Sequence, residues 1–154
     1  MIYKCQYFHL VELLPEKFYN ENIQKYKDNL WFLFDVRALM TLDRLRNRYG
    51  KTHINNWKWK KPGEKKDESR GLRLPDDPIG AKLSQHRFGR GFDPWFDRVT
   101  ADEVREDLAN HPEYPTFGYI TAIEDGAIAK TWFHFDTRNW DRVRNGILII
   151  KPMP

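Results

Sequence analysis

The chain has a single cysteine, Cys5, in 154 residues. A lone thiol can neither close an internal disulfide nor build a thiolate zinc site, so any metal would fall to histidine and carboxylate. Cys5 itself reads as a small packed side chain. Long apolar runs are missing too: 31% of residues are charged and mean hydropathy is -0.77, so membrane insertion is not expected. The segment from Met1 to Leu10 lacks an unbroken apolar stretch and a small-residue cleavage site, so no secretory signal is expected either. Repeats and low-complexity tracts are absent.

Hydrophobic residues at 40% and aromatics at 15% exclude a disordered tail. The length fits one domain over 1–154 that can bury its own core without a partner, and a monomer is expected. A net charge of +4 and a pI near 9.1 favour encounter with polyanions, nucleic acid and anionic wall polymers alike.

Periodicity supplies a coarse layout. Tyr7 to Leu14 alternates loosely and stops at Pro15, which predicts a short extended entry segment. Leu30, Phe34, Ala38, Leu42, Leu45 and Tyr49 recur every three or four residues, predicting a helix capped by Asp28 or Asn29 and stopped by Gly50. Thr52 to Trp59 reads as strand, and Lys58 to Asp67, broken by Pro62-Gly63, as a charged loop. Turn residues fill Arg70 to Lys82. Thr100 and Glu103 form a capping box that starts a helix over Ala101 to Asn110, with Val99 available as a staple. Strands follow at Phe117 to Glu124, at Ile128 or Ala129 to Asp136, and at Ile147 to Lys151, with Asp125-Gly126 as a turn. Strands at both ends with two irregularly placed helices predict an α+β domain with a mainly antiparallel sheet and flanking helices.

The chemistry concentrates in Ser84-Gln85-His86-Arg87-Phe88-Gly89-Arg90-Gly91-Phe92-Asp93 and in Trp132-Phe133-His134-Phe135-Asp136. On a helix, His86 and Asp93 would stand roughly 10 Å apart, so they converge only on a bent segment, which Gly89 and Gly91 permit. Two imidazoles and a carboxylate leave one position of a tetrahedral zinc open, the arrangement that separates a catalytic metal from a structural one. A chance match of the first pattern at any of the five histidines is on the order of 10⁻⁴.

The first run closely resembles the S-x-H-x-x-G-x-A-x-D motif of the zinc D-alanyl-D-alanine metallopeptidases, peptidoglycan peptidases that share a fold with hedgehog signalling domains. Gly91 stands where the motif has alanine. The second run resembles the family's closing motif, an aromatic-flanked histidine on a strand. The resemblance implies His86, Asp93 and His134 as zinc ligands and Ser84 as a substrate contact. It also implies a hedgehog/DD-peptidase-like fold and hydrolysis of a peptidoglycan stem peptide, by a D-Ala-D-Ala carboxypeptidase or an L-Ala-D-Glu-type endopeptidase. Phage lysis enzymes belong to this group, so an endolysin-like protein released to the wall, or carried in a virion, is expected.

The sequence departs from the family at Thr131, where many members place an acidic general base three residues before the last ligand. Two carboxylates can substitute. Glu124, the first choice, would pair opposite Trp132 and point beside His134 if the connection to the next strand is wide; Asp136, two strand positions beyond His134, shares its face about 7 Å along. Arg70, Arg73 and Arg138 are candidates to hold a substrate carboxylate.

Simpler roles stand beside these. His134 can be a packed core histidine, Asp136 and Arg138 a plain ion pair, and Glu124 a turn residue. A relative of the same fold that binds a wall peptide or a protein partner without cutting it is the alternative to an enzyme. Lys58, Lys60, Lys61, Lys65 and Lys66 interleave with Trp57 and Trp59 as in single-strand nucleic-acid binders, but Glu64, Asp67 and Glu68 dilute the charge, and nucleic acid is not the expected partner.

Overall fold

The computed structural model describes residues 2–140 and 146–153. Leu10, Leu13 and Leu14 are buried, and their spacing of three and one is helical. The chain therefore takes a helical turn, α1 (Leu10–Leu13), where an extended segment was expected. Helix α2 (Glu16–Tyr26) follows, packed only by half-buried side chains. Residues Lys27–Leu33 then form a 3₁₀ stretch that buries Leu30 and Trp31.

The main helix, α3 (Val36–Tyr49), starts six residues later than its periodicity predicts. Asp35 is extended and accepts the amide of Arg37 at 2.8 Å, so it is the cap that starts the α-helical ladder. Leu30 and Phe34 still face the core, because a 3₁₀ turn also returns to one side every three residues. Gly50, with φ of 80°, ends α3 as expected. Ala38, Leu39, Leu42 and Leu45 are buried at 1% exposure or less, and each of the three leucines contributes about 1.5 to 3 kcal/mol.

Strands are short. β1 (Thr52–His53) pairs antiparallel with β3 (Trp95–Phe96). A second sheet has the order β2 (Gly91–Phe92), β5 (Phe135–Asp136), β4 (Ala122–Glu124), β6 (Leu148–Ile150). Its first two pairings are antiparallel and β4–β6 is parallel. Between the sheets' strands in sequence, α4 (Ala101–Asn110) forms with the capping box intact: Thr100 Oγ1 accepts from Glu103 N at 3.2 Å, and Thr100 N donates to Glu103 Oε2 at 2.6 Å. The result is an α+β fold of short helices and two small sheets around a core that includes Phe8, Leu42, Val104 and Phe135. Among the described residues, no helix is long and apolar enough to cross a membrane.

The two strands around the connection ahead of His134 pair antiparallel as expected, but the second is short and the connection is not a tight turn. From Asp125 to Phe133 the chain leaves the sheet, and Arg105 of α4 donates to the carbonyls of Glu124, Ala129 and Trp132 at 3.0, 2.6 and 2.8 Å. One guanidinium supplies the donors that a partner strand would otherwise supply. The connection is wide, and that sets what stands across from His134.

Candidate metal centre

His86 lies in a 3₁₀ turn (Gln85–Phe88) that leads into β2, and Asp93 follows β2 directly. The turn can close because Gly89 takes φ of 63° with its Cα against the Leu33 carbonyl, where a Cβ would collide. Antiparallel pairing of Phe92 with Phe135 then brings the residue after one beside the residue before the other, Asp93 beside His134. All three side chains are nearly solvent-free, at 1% for His86 and 5% each for Asp93 and His134.

One atom of each points to a common centre. His86 Nε2 stands 3.3 Å from His134 Nδ1 and 3.3 Å from Asp93 Oδ1, and His134 Nδ1 stands 2.6 Å from Asp93 Oδ1. Bonds of about 2.0 to 2.1 Å in a tetrahedral zinc site put neighbouring ligand atoms roughly 3.3 Å apart. Two of the three edges already have that length, and the third is a hydrogen bond.

Each outward-facing atom has its own partner. His86 Nδ1 lies 2.8 Å from the Gly71 carbonyl, an acceptor, so that nitrogen carries the proton and Nε2 presents a lone pair inward. The carbonyl reaches His86 because residue 71 is glycine: its backbone runs against Leu13, and a Cβ there would strike the Leu13 carbonyl oxygen. Asp93 Oδ2 accepts from Arg73 Nη2 at 2.8 Å. His134 Nε2 faces Asp136 Oδ2 at 3.5 Å, and Asp136, fully buried, accepts from the backbone N and side chain of Arg138. Metal-binding histidines characteristically show such outer carbonyl and carboxylate partners.

The electrostatics show that a proton occupies the cluster in the metal-free protein. Burial works against a charged His134, but its hydrogen bonds to the Asp136 and Asp93 carboxylates, with the charges of Asp93 and Glu124, raise its pKa to about 9. Burial also disfavours the Asp93 carboxylate, yet His86 and His134 hold it far below the usual carboxylate range. Asp136 is likewise lowered against its burial by His134 and Arg138. The ionised carboxylates and the inward lone pair of His86 Nε2 are states a divalent cation requires, whereas the proton held on His134 must leave before its Nδ1 can coordinate. The donor set, two imidazoles and a carboxylate, suits a divalent transition-metal ion.

Glu124 lies closer to this centre than the sequence register suggests. Ala122 pairs with Asp136 and Ile123 with Phe135; one step further, Glu124 stands across from His134 rather than Trp132, on the same face. It is half-buried, and among the described residues its carboxylate has no hydrogen-bond or ion-pair partner. Of the expected substrate contacts, Arg73 is engaged by Asp93 and by the Ser69 carbonyl at 2.6 Å. Arg138 is engaged by Asp136. Arg70 pairs with Asp67 and lies over the Trp132 ring at 5.2 Å, while its backbone carbonyl accepts from Asp93 N at 2.9 Å. Ser84 precedes the His86 turn, half-buried, and among the described residues its hydroxyl has no hydrogen-bond partner.

The Gly71 carbonyl was beyond sequence reasoning, since a backbone acceptor carries no residue signature. Arg73 was singled out from sequence for substrate, and its partner proves to be Asp93. No family model, curated protein or solved structure matches the chain.

Proposed function

We propose that the chain is a zinc-dependent peptidase of the peptidoglycan-cleaving type. The supporting observation is the three-atom cluster of His86, Asp93 and His134 with a separate outer partner behind each member. When bound, zinc supplies Lewis acidity that polarises a peptide carbonyl and lowers the pKa of water.

The chain's own residues have distinct tasks. His86 Nε2, Asp93 Oδ1 and His134 Nδ1 would hold the ion. Gly71 and Asp136 fix the two imidazole rings, and Arg73 fixes the carboxylate. Glu124 is the general base: its carboxylate stands across from His134 and accepts a proton from the attacking water. Asp136, with both oxygens taken by Arg138 and His134, orients rather than transfers protons. Arg70, beside Trp132 and one backbone hydrogen bond from Asp93, is the best placed of the cations to meet a substrate carboxylate, and the Ser84 hydroxyl is available for a second contact. The substrate is a wall stem peptide, cut as by a D-Ala-D-Ala carboxypeptidase or an L-Ala-D-Glu-type endopeptidase, and the setting is endolysin-like.

Digestion of purified peptidoglycan, with the products identified by mass spectrometry, tests this directly. Glu124→Gln should lower turnover at least about 100-fold while zinc content stays unchanged. Turnover that survives this change would remove Glu124 as base. A second reading has its own support: the near-complete burial of all three ligands and Thr131 at the expected base position fit a metal that braces the fold of a non-cutting, peptide-binding relative. That protein would keep its zinc and release no product from any wall preparation.

A further inference from the structure

Away from the metal centre, two cavities of about 550 and 510 Å³ share Asn56, Lys65 and Trp95 in their walls, so they adjoin along these side chains and are taken together as one groove. Two indoles line it. Trp95 is fixed by stacking on His53, with centroids 3.9 Å apart and planes at 16°, and His53 is held in turn by Asp97 at 2.7 Å. Trp59 is 56% exposed on the lysine-rich loop, a large apolar surface left in water.

That loop is built rather than loose. Asn56 closes its base, donating to the Lys65 carbonyl at 3.0 Å and accepting from Asp67 N at 2.7 Å, while its own amide donates to the Asp67 carbonyl at 2.9 Å. Trp57 anchors it, buried, with Nε1 donating to the Leu14 carbonyl at 2.9 Å. Trp57 is therefore unavailable for stacking, and Trp59 is held out on a supported turn.

Charge decides what the groove fits. Around Trp59, Lys51, Lys61 and Lys65 are matched by Glu12, Glu64 and Asp97, so this end is neutral and suits no phosphate polymer. At the other end the only acid in the wall, Asp67, is paired with Arg70, which leaves Lys130 as an unmatched charge beside Thr131. Fixed indole faces with neutral hydrogen-bonding side chains match a pyranose ring, whose C–H face packs on the negative face of an indole while its hydroxyls reach amides and carboxylates. We infer that this groove binds a saccharide strand, its rings stacked on Trp59 and Trp95 and an acidic substituent directed to the Lys130 end.

The identity of that strand as wall glycan rests on the peptidase reading; the groove itself does not. The test therefore uses metal-free protein and a β-1,4-linked N-acetylglucosamine hexamer that carries no peptide. Indole N–H signals in ¹⁵N spectra should shift for Trp59 and Trp95 and stay in place for buried Trp57. Trp59→Ala, at an exposed site that leaves the fold intact, should weaken binding about tenfold, the size expected for one lost aromatic platform. Raising salt from low to high should change little. No shift at millimolar saccharide, or equal affinity in Trp59→Ala, overturns the inference even if zinc-dependent cleavage is found. Tighter, steeply salt-dependent binding of a single-stranded oligonucleotide through Trp59 overturns it in favour of nucleic acid.

Discussion

Zinc should raise the melting temperature of this protein sharply without reshaping it. The ligand atoms are already gathered, so binding requires that the His134–Asp93 contact open from 2.6 Å to roughly 3.3 Å, the edge of a tetrahedral site, and that His134 release its proton. Gly71, Arg73 and Asp136 hold the three side chains meanwhile, so little ordering entropy remains to oppose the ion. At free zinc a thousandfold above the dissociation constant, binding adds about 4 kcal/mol to the stability of the folded state. For a chain of 154 residues, the unfolding entropy is roughly 0.3 kcal/mol per kelvin, and that stabilisation becomes a rise of about 13 °C. Differential scanning calorimetry of chelator-treated protein, with and without zinc, measures it, and circular dichroism reports the structure of both forms. His86→Ala should abolish the rise. A shift under about 2 °C would refute the idea of a preformed site. So would a large gain of secondary structure on adding zinc, which would mean that the metal organises the fold rather than entering it.

Asp136→Asn keeps the shape behind His134 and removes the charge, so zinc affinity should fall about 10- to 100-fold by competition with a chromophoric chelator; unchanged affinity would make Asp136 merely the partner of Arg138. The metal-free protein should respond to pH through His134. Its pKa is about 9 when folded, above the ordinary 6.5, so the folded state holds more protons between these values, and this contribution, complete below pH 6.5, is lost as pH rises through 9. Melting of the chelated protein across that range checks the sign, which a rise in stability would contradict. Asp93 and Asp136, held low, act in the opposite direction, and their contribution is lost in acid. Arg105→Met removes three donors to the carbonyls of Glu124, Ala129 and Trp132 and should cost about 2 to 4 kcal/mol in urea denaturation; a loss under 0.5 kcal/mol, on the order of an ordinary surface change, would show that the connection stands without it.

What could be read in the sequence depended on how local its cause was. Helix α4 was legible to the residue because its start is a reciprocal contact between Thr100 and Glu103, three positions apart. The start of α3 was misplaced because Leu30 and Phe34 keep the helical spacing while the chain is still 3₁₀, and only the extended Asp35 marks the true cap. The strand before His134 vanished for a nonlocal reason, the side chain of Arg105 on another element. At the site, the convergence of His86 and Asp93 was legible because spacing and glycines constrain the local bend between them. The outer partners were not: Gly71 acts through its carbonyl, and the place of Glu124 depends on a sheet register that shifts by two residues with the width of one connection.

The central claim is that His86, Asp93 and His134 hold one zinc ion. Elemental mass spectrometry of the purified protein after zinc reconstitution and desalting, with His86→Ala alongside, measures this most directly. One equivalent of zinc in the protein and none in the variant is the predicted result. No zinc after reconstitution, or equal zinc in both, would contradict it and leave the cluster a buried hydrogen-bond network.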